Sequence, residues 1–438
     1  MAEIRPFRGV RYNEQLISDL STVICPPYDI ITPRMAQDLY HRSEYNFVRL
    51  EYGRLLPPGA ATDERHAHSA AILEQWLKQD VLKRDAQPAI YLHDHIFSYL
   101  GTEYVRRSIT VATRLVEWAE KVVRPHEATL SKARNDRINL LWTLESNTSP
   151  ILTLFEDETK QIASRLSHQA QKPPLMSLGG DNGESHRIWA ITEAEAVRAI
   201  TADFSSKPLY IADGHHRYES ALTYQRERQA CAGETSGDEG FNFVMMTLVD
   251  FADPGLIVLS PHRLVRGIGQ SALNELRSKL DIFFEIEEWP LDTSDNGERI
   301  RASLDREETG QVRFILAGLR PGYLTLLKLR DPGTVRQMIP YFHGDLYAKL
   351  DVSILDHVIL EEMLGLSSSS QEASLTFCYD QQDAVRRVSD QEYQLAFLLR
   401  PVKAATIKAI ADSGERMPRK STYFYPKPPS GLVFNRLV

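Results

Sequence analysis

Cysteine is scarce in this chain, and its scarcity excludes two ways of stabilising a small domain. The three cysteines, Cys25, Cys231 and Cys378, are far apart and odd in number. A disulfide framework and a zinc knuckle both need cysteines in closely spaced sets, so neither is indicated. The chain must therefore be stabilised by an ordinary hydrophobic core, and its 42% of hydrophobic residues is the usual share for one.

Long apolar runs and an excess of positive charge are also absent. No segment reaches the ~18 apolar residues of a membrane span, and the first residues, MAEIRPFRGV, have no apolar stretch of the secretory kind. Aspartate and glutamate (59) outnumber lysine and arginine (51), which gives a formal net charge of −8. A general nucleic-acid surface needs clustered cations. We therefore expect a cytoplasmic protein without nucleic-acid or membrane partners.

The chain does contain helix-like and strand-like segments, mixed along its whole length, and this predicts an α+β (mixed α/β) fold. Strands are predicted at 22–27 and 46–51, helices at 62–82 and 135–146, hairpins at 88–116 and 311–329, and paired strands at 241–250 and 255–259. Loops rich in proline, glycine and serine near 171–185 and 366–372 predict three parts, 1–175, 176–366 and 367–438.

The first candidate for chemistry is the segment LYIADGHHRYESAL, residues 209–222. An apolar strand is predicted to end at Asp213, and helical spacing begins just after Gly214. The amides and the dipole at the start of a helix favour an anion, and glycine lets the backbone approach a ligand closely. The sequence therefore predicts an anion site at this joint.

The side chains around Gly214 fit the same interpretation. His215, His216 and Arg217 are donors, and an arginine can hold two phosphate oxygens at once. Asp213 would lie beside the anion, where its charge suits a magnesium ion or a proton taken from a hydroxyl group. The alternative is a polar helix start, in which Asp213 caps the helix and the histidines are exposed.

A second polar segment, residues 124–141, precedes and opens an apolar helix. Arg134 and Arg137 lie about one turn apart on a similar face, and Glu127 lies in the loop before them. The alternative is a solvated helix start with ordinary charge pairs.

A third segment, residues 414–431, combines basic and hydroxyl side chains with prolines and aromatic residues. Lys420, Ser421 and Thr422 are typical of a rigid loop that faces a phosphate. The alternative is a C-terminal arm that packs its tyrosines on the rest of the fold.

Two weaker candidates are structural in their simplest interpretation. His93 and His95 share one face of a predicted strand, which allows a metal pair but is more typical of a half-exposed strand. Tyr28 and Asp29 follow two prolines in CPPYDIITP, a rigid turn.

These segments together resemble the bacterial and archaeal family known as domain of unknown function 1015. The likeness extends over PFRGVRY, CPPYDIITP, YNFVRLE, PHEATLSKARNDRINLL, ADGHHRYESAL and GERMPRKSTYFYPKPPSGLV. ADGHHR is also similar to the phosphate-binding box of the ParB/sulfiredoxin-like superfamily, whose free-serine kinases carry a similar Asp-Gly-His-His-Arg. This likeness implies a ParB/sulfiredoxin-like core with large inserted and C-terminal α/β parts.

The resemblance implies a role for each residue of the box. Gly214, His215, His216 and Arg217 would hold nucleotide phosphates, and Asp213 would be the base or the metal carboxylate. The box contains no cysteine, which excludes sulfinic-acid reduction. The acidic chain shows no helix-turn-helix after the box, which argues against DNA binding.

We therefore predict a kinase, a nucleotide-dependent phosphotransferase that acts on a small hydroxyl compound such as free serine. ATP or ADP and Mg²⁺ are the expected cofactors. The catalytic candidates are Asp213, Glu127 and His216, and the further phosphate or substrate ligands are Arg134, Arg137, Lys420, Ser421 and Thr422. The alternatives are a nucleotide-binding regulatory or interaction protein and a nucleotide hydrolase switch.

Overall fold

The computed structural model describes residues 2–53, 62–129, 131–233, 235–291, 296–305, 311–366 and 373–438. They form two compact units, of which the first comprises Met1–Pro125, Thr129–Ile257 and Pro426–Val438 and the second comprises His126–Ala128 and Val258–Tyr425. Residues 171–185, where the sequence predicts a boundary, lie within the first unit, and residues 367–372 lie outside the described residues. The division into three parts remains a prediction.

The fold is mixed α/β, as the sequence predicts. The strands are β1 Ile4–Arg5, β2 Gly9–Tyr12, β3 Leu82–Arg84, β4 Ile90–Tyr99, β5 Thr102–Arg114, β6 Val123–Arg124, β7 Ser146–Asn147, β8 Ile151–Phe155, β9 Met176–Gly179, β10 Ser185–Ile191, β11 Leu209–Asp213, β12 Phe243–Asp250, β13 Ile257–Leu259, β14 His262–Val265, β15 Phe284–Pro290, β16 Arg313–Ala317, β17 Tyr323–Leu329, β18 Leu375–Cys378, β19 Leu395–Leu398, β20 Tyr423–Tyr425 and β21 Phe434–Arg436.

The helices are interspersed with these strands along the sequence. They are α1 Pro33–Arg42, α2 Val48–Glu51, α3 Thr62–Lys78, α4 Ser131–Leu144, α5 Gln161–Gln169, α6 Ala194–Phe204, α7 His215–Ala232, α8 Gln270–Phe283, α9 Asn296–Asp305, α10 Pro332–Val335, α11 Asp345–Ala348, α12 Asp351–Ile354, α13 Gln381–Ser389 and α14 Ala404–Ser413. A π-helix, Leu355–Met363, continues α12. Within the described part of the chain, every helix is too short or too polar to cross a membrane.

A nine-stranded mixed sheet forms the centre of the first unit, in the order β6-β11-β8-β12-β5-β4-β10-β9, with β1 on β5. Alternate residues of β12 face opposite sides of this sheet. Phe243 and Met245 belong to one buried cluster, and Val244 and Met246 belong to another. The sheet therefore has a hydrophobic core on each face, and β11 lies inside it, between β6 and β8.

A second, four-stranded sheet of the first unit has the order β3-β2-β21-β7. It brings the end of the chain, β21, between strands from the N-terminal part, with Gly9 opposite Asn435 and Asn435 opposite Asn147. The second unit has its own six-stranded sheet, in the order β15-β17-β16-β19-β14-β18, and its own buried cluster around Leu264, Ile315 and Leu398.

Several sequence predictions are confirmed. The hairpins at 88–116 and 311–329 are the antiparallel pairs β4–β5 and β16–β17. The helices at 62–82 and 135–146 correspond to α3 and α4, although α3 ends at Lys78 and β3 begins at Leu82.

Three strand predictions are wrong. Residues 46–51 contain the short helix α2, because Asn46 Oδ1 accepts a hydrogen bond from the Val48 amide and starts a helical turn. In residues 22–27 a 3-10 helix ends at Thr22, and Cys25 makes a single bridge to Ser430. Strand β12 pairs with β5 and β8, while β13 pairs with β20, so residues 241–250 and 255–259 are not partners.

Candidate functional site

The joint between β11 and α7 lies in the first unit and has the predicted strand–turn–helix form. Gly214 has a φ of 98°, in the left-handed region that favours glycine. A Cβ atom at this position would lie 2.9 Å from Arg217 Nε. Glycine cannot provide a side-chain cap to α7, and residues His215 to Arg217 form its first turn.

Asp213 connects this turn to the end of the chain. Its Oδ2 atom pairs with Arg217 Nη2 at 2.6 Å, and its Oδ1 atom pairs with Lys427 Nζ at 2.7 Å. Arg217 Nη1 also donates to the carbonyl oxygen of Pro150. Two cations are therefore fixed on one carboxylate directly beside the glycine turn.

Lys427 is held by a second carboxylate, that of Asp29. The Lys427 side chain is only 5% exposed. Burial alone would lower the pKa of this ammonium group, but Asp213 and Asp29 outweigh burial and hold the pKa above its usual range. Lys427 therefore stays charged between the two carboxylates.

Arg137 forms a second charged group in the same unit. Its guanidinium lies 3.9 Å from the centre of the Tyr28 ring, 2.6 Å from Asp136 Oδ2 and 3.4 Å from Glu51 Oε1. Burial alone would lower the pKa of Arg137, but Asp136 and Glu51 more than compensate and raise it. His66 Nε2 completes this group at 3.1 Å from Asp136 Oδ1.

Charged side chains from both groups act on the pKa of the Tyr28 hydroxyl. Burial raises the pKa of its hydroxyl, and the charges of Arg137 and Arg217 act against this shift while those of Asp29 and Asp213 add to it. All four charged side chains therefore act on the Tyr28 hydroxyl.

A small cavity of about 30 Å³ lies in this unit beside Arg137 and Arg217. Its lining combines these two arginines, Glu51, hydroxyl and amide side chains, and an apolar wall. The lining residues are Glu51, Arg137, Leu140, Leu141, Ser146, Asn147, Thr148, Ser149, Ile151, Arg217, Ser220 and Val244.

The remaining predicted site residues divide between the two units. Arg134 lies on α4 in the first unit, where Ser220 of α7 donates to its carbonyl oxygen at 2.9 Å. Glu127 and Lys420 lie in the second unit, where Glu127 Oε1 accepts from the Lys420 amide at 3.0 Å.

The hydroxyl residues next to Lys420 belong to the same group in the second unit. His126 Nε2 lies 2.9 Å from Thr422 Oγ1, and Ser421 Oγ donates to the carbonyl oxygen of Pro418. The loops 126–127 and 417–422 are thus brought together.

Sequence reasoning gave no role to four residues of the site in the first unit. Tyr28 and Asp29 were interpreted as part of a rigid turn, and Glu51 fell in a segment predicted to be a strand. Lys427 stood in the third basic segment without an assigned function. The prolines before Tyr28 were the one local signal, because they fix the backbone that presents it.

A group that matches metal-ligand chemistry lies elsewhere in the first unit. His95, Glu184 and His186 place one ligand atom each within 4.8 Å of one another. However, Arg106 Nη2 donates to His95 Nδ1 at 3.0 Å, so His95 Nε2 carries the proton that it donates to Glu184 Oε2 at 2.7 Å. The proton on Nε2 occupies the position that a metal ion would need.

His93 and His95 are thus buried, and they do not lie on a half-exposed strand. His93 Nε2 lies 3.1 Å from His186 Nδ1. Burial lowers the pKa of His186 to about 4 and raises that of Glu184 to about 7. Arg106 also donates to the carbonyl oxygen of Pro426 at 2.7 Å, so this group adjoins the residue that precedes Lys427.

Three solved structures illustrate what this chain is similar to. A conserved hypothetical protein from Pyrococcus furiosus is 14% identical, with 74% of this chain and 93% of that chain covered and a TM-score of 0.35. A mutant of free serine kinase in complex with ADP is 15% identical, with 74% and 88% covered and a TM-score of 0.34. SbnI from Staphylococcus aureus, truncated at its C-terminus, is 10% identical, with 73% and 85% covered and a TM-score of 0.32.

One protein family matches most of the sequence of this chain. No curated protein matches its sequence. The family described as Protein of unknown function (DUF1015) matches residues 4–353. Since this match spans well over half of the 438 residues, the chain belongs to that family.

Proposed function

We propose that the chain is a nucleotide-dependent phosphotransferase that holds nucleotide phosphates at the Gly214 turn and phosphorylates a small hydroxyl compound. One observation carries this proposal: Arg217 and Lys427 are fixed by Asp213 beside the start of an 18-residue helix whose N-cap residue is a left-handed glycine. The amides and the dipole of such a helix favour phosphate, and two preset cations add to them.

The carboxylates around the cations support phosphate transfer as well as binding. Asp213 and Asp29 orient Lys427, and Asp136 and Glu51 orient Arg137. Donors that are already in place cost little reorganisation when negative charge builds up on a transferred phosphoryl group. In this proposal, Arg217 and Lys427 contact the nucleotide and Arg137 lies on the acceptor side.

Magnesium would enter with the nucleotide, whose phosphates it would bridge and neutralise. The role proposed for Asp213 as its protein ligand is constrained by the geometry. Both Asp213 oxygens already form ion pairs, with Arg217 and with Lys427. An ion bound to Asp213 would therefore have to displace one of these two cations.

The predicted residues of the second unit form a separate part of the proposal. Glu127 and Lys420 contact each other, and His126 contacts Thr422. Lys420, Ser421 and Thr422 are proposed as further phosphate ligands, with Glu127 and His216 as candidate proton acceptors. We also propose a cytoplasmic location, since Cys231 is an exposed free thiol and such thiols are kept reduced there.

The test compares two arginines of the same helix. The purified protein is incubated with ATP, ADP or CTP, magnesium and a panel of hydroxy compounds, and phosphorylated product is followed by mass spectrometry. Arg217→Gln should weaken nucleotide binding about tenfold or more, a loss typical of a charged hydrogen bond. Arg226→Gln, which removes an exposed cation paired with Glu117, should leave binding unchanged.

The other outcomes separate the alternative functions. Nucleotide binding without product would favour a regulatory protein, and phosphate release without an acceptor would favour a hydrolase switch. If no nucleoside mono-, di- or triphosphate binds to the wild-type protein, the proposal is wrong.

A further inference from the structure

A cavity of about 330 Å³ lies between α5 and α6 in the first unit. None of its lining residues belongs to the charged groups around Asp213 and Arg137. Protein interiors are close-packed and hold few voids larger than a water molecule, whereas small-molecule sites begin at about 300 Å³. The cavity is therefore large enough for a small organic molecule. Its lining residues are Ser164, Arg165, His168, Gln169, Ala196, Ala199 and Ile200.

Two ion pairs join the helices that form the cavity. Arg165 Nε of α5 pairs with Asp203 Oδ2 of α6 at 2.8 Å. Lys172, just past the end of α5, pairs with Glu193, the N-cap residue of α6. Residue numbers that rise along α5 thus meet numbers that fall along α6, so the two helices run antiparallel. The cavity lies between helices that are joined at two points.

The wall provided by α6 is apolar. Ala196, Ala199 and Ile200 are three and four residues apart and therefore share one face of this helix. Ile200 is 1% exposed and belongs to a buried cluster on the large sheet. The two alanines end at Cβ, so they leave the space that longer side chains would fill. This wall suits the hydrocarbon part of a ligand.

The wall provided by α5 is polar and contains a buried group without a partner. Gln169 is 9% exposed, and its side-chain amide makes no hydrogen bond with the described residues. Buried polar groups in proteins nearly always have a hydrogen-bond partner. Ser164 Oγ and the His168 ring also make no hydrogen bond with the described residues. The polar wall is therefore able to bind polar atoms of a ligand.

Arg165 provides the charge on the same wall. Its Nε atom donates to Asp203, which orients the guanidinium, and its two terminal nitrogens make no hydrogen bond with the described residues. A guanidinium can donate two parallel hydrogen bonds to a carboxylate. Gln169 lies four residues further along α5, on the same face, so its amide can donate to the same carboxylate.

We propose that this cavity binds a small carboxylic acid with an apolar body. The carboxylate lies on Arg165 and Gln169, and the body lies against the alanines of α6. A phosphate would bring a second negative charge, and Arg165 is the one arginine or lysine among the described lining residues. This inference does not depend on the proposed function, because none of the lining residues takes part in it.

Calorimetric titration of the wild-type protein tests the ligand class. The probes are 3-phenylpropionate, hexanoate and 3-phenylpropanamide, of which the last keeps the shape of the first but lacks its charge. At least one of the two acids should bind with a Kd below about 1 mM, as expected for a ligand of this size. The amide should bind about tenfold or more weakly than 3-phenylpropionate, because it loses a charged hydrogen bond. The proposal is wrong if neither acid shows saturable binding.

Four variants test the position of the bound acid. Arg165→Met should weaken binding about tenfold or more, and Gln169→Leu should weaken it about fivefold. Arg198→Met and Gln161→Leu are the matched controls, because both residues are exposed on the same two helices and do not line the cavity. They should bind the acid as the wild type does. Equal affinity of all four variants would place the acid elsewhere and overturn the assignment.

A further variant covers the case in which Arg165→Met unfolds because Asp203 is left unpaired. Ala199→Phe fills the cavity with a ring and should abolish binding of the acid, while the melting temperature shows that the protein is folded. Ala202→Phe, at an exposed position of α6 outside the cavity, should retain the affinity. A folded Ala199→Phe protein that binds the acid as tightly as the wild type would contradict the proposal.

Discussion

Lys427 shows how a single side chain can hold a site together across the sequence. It joins Asp29, near the start of the chain, to Asp213 in the middle, and its own side chain is nearly inaccessible to solvent. Without the ammonium group, two carboxylates would face each other with no cation between them. The position of Lys427 should therefore matter for stability as well as for phosphate binding.

Replacing Lys427 by methionine should lower the free energy of unfolding by about 2–3 kcal/mol, because it removes the buried cation that Asp29 and Asp213 share, although Asp213 still pairs with Arg217. Urea denaturation measures the change. Lys160→Met is the matched control, because Lys160 pairs with Asp250 at 3.0 Å but its side chain is 58% exposed, so its loss should leave the free energy of unfolding nearly unchanged.

A companion variant tests the cause. Asp29→Asn combined with Lys427→Met removes the Asp29 charge, which has lost its Lys427 partner, and should recover part of the loss. Equal costs for the Lys427 and Lys160 variants would refute the proposed role of the ion pairs.

Glu184 should make the free energy of unfolding depend on pH. Burial raises its pKa to about 7, against an ordinary value of 4.5, with Asp181 acting in the same direction and Arg106 against it. Between these two values the folded chain holds more protons than the unfolded chain. The stability associated with Glu184 is therefore full below pH 4.5 and is lost as the pH rises through about 7.

Glu184→Gln removes this titration while keeping an oxygen that accepts from His95. The free energy of unfolding of the variant, relative to the wild type, should increase between pH 5 and pH 8 by on the order of 1–3 kcal/mol. Denaturation curves at several pH values measure it. A flat difference for Glu184→Gln would contradict the assignment.

At the scale of elements, the sequence predicted the strand–turn–helix around Gly214 because all of its signals are local. An apolar run, a glycine and a helical period stand within fourteen residues. The prediction of a strand at 46–51 failed because a tertiary contact decided the outcome. Asn46 Nδ2 donates to the carbonyl oxygens of Thr22 and Ile24, which holds Asn46 where it can start α2.

The candidate site was likewise predictable only where its signals are local in the sequence. The phosphate-facing turn was visible in one segment, and its partners were not, because Asp29 and Lys427 are separated by 398 residues. A single sequence gives no signal for such a pair. Glu51 was missed for a related reason, since its ion-pair partner Arg137 lies 86 residues away in the sequence.

Gly214 tests the role of the turn between β11 and α7. Gly214→Ala should cost more than 2 kcal/mol, since about 1–2 kcal/mol comes from the left-handed backbone and the added Cβ would also press on Arg217. Nucleotide affinity should fall at the same time. Thermal denaturation and nucleotide titration measure the two effects.

Gly414→Ala is the matched control. Gly414 is also left-handed, with a φ of 80°, but a Cβ atom there would meet nothing within 4 Å. It should therefore show only the backbone cost and normal nucleotide affinity. Identical behaviour of the two variants would mean that contact with Arg217 is unimportant.

At the scale of the whole molecule, the first unit is built from both ends of the chain. The second unit occupies most of the sequence between Ile257 and Pro426. The chain returns to the first unit for its last segment, where Ser430 exchanges backbone hydrogen bonds with Cys25 and β21 enters between β2 and β7. The first unit is therefore incomplete until the end of the chain has been added.

Deleting residues 426–438 should consequently unfold the first unit and leave the second intact. The deletion removes β21, the Ser430 contacts and the Lys427 ion pairs, whereas the second unit keeps its six-stranded sheet and its own core. Hydrogen exchange followed by mass spectrometry should show loss of protection in β4, β5 and β12 and retained protection in β16 and β17. Removal of Val438 alone, which is 53% exposed, should change neither set.

Retained protection of β12 in the truncated chain would show that the large sheet is stable without the C-terminal segment. The nucleotide affinity that the deletion removes would then be due to the loss of Lys427, and Lys427→Met in the full chain would weaken binding as much as the deletion does.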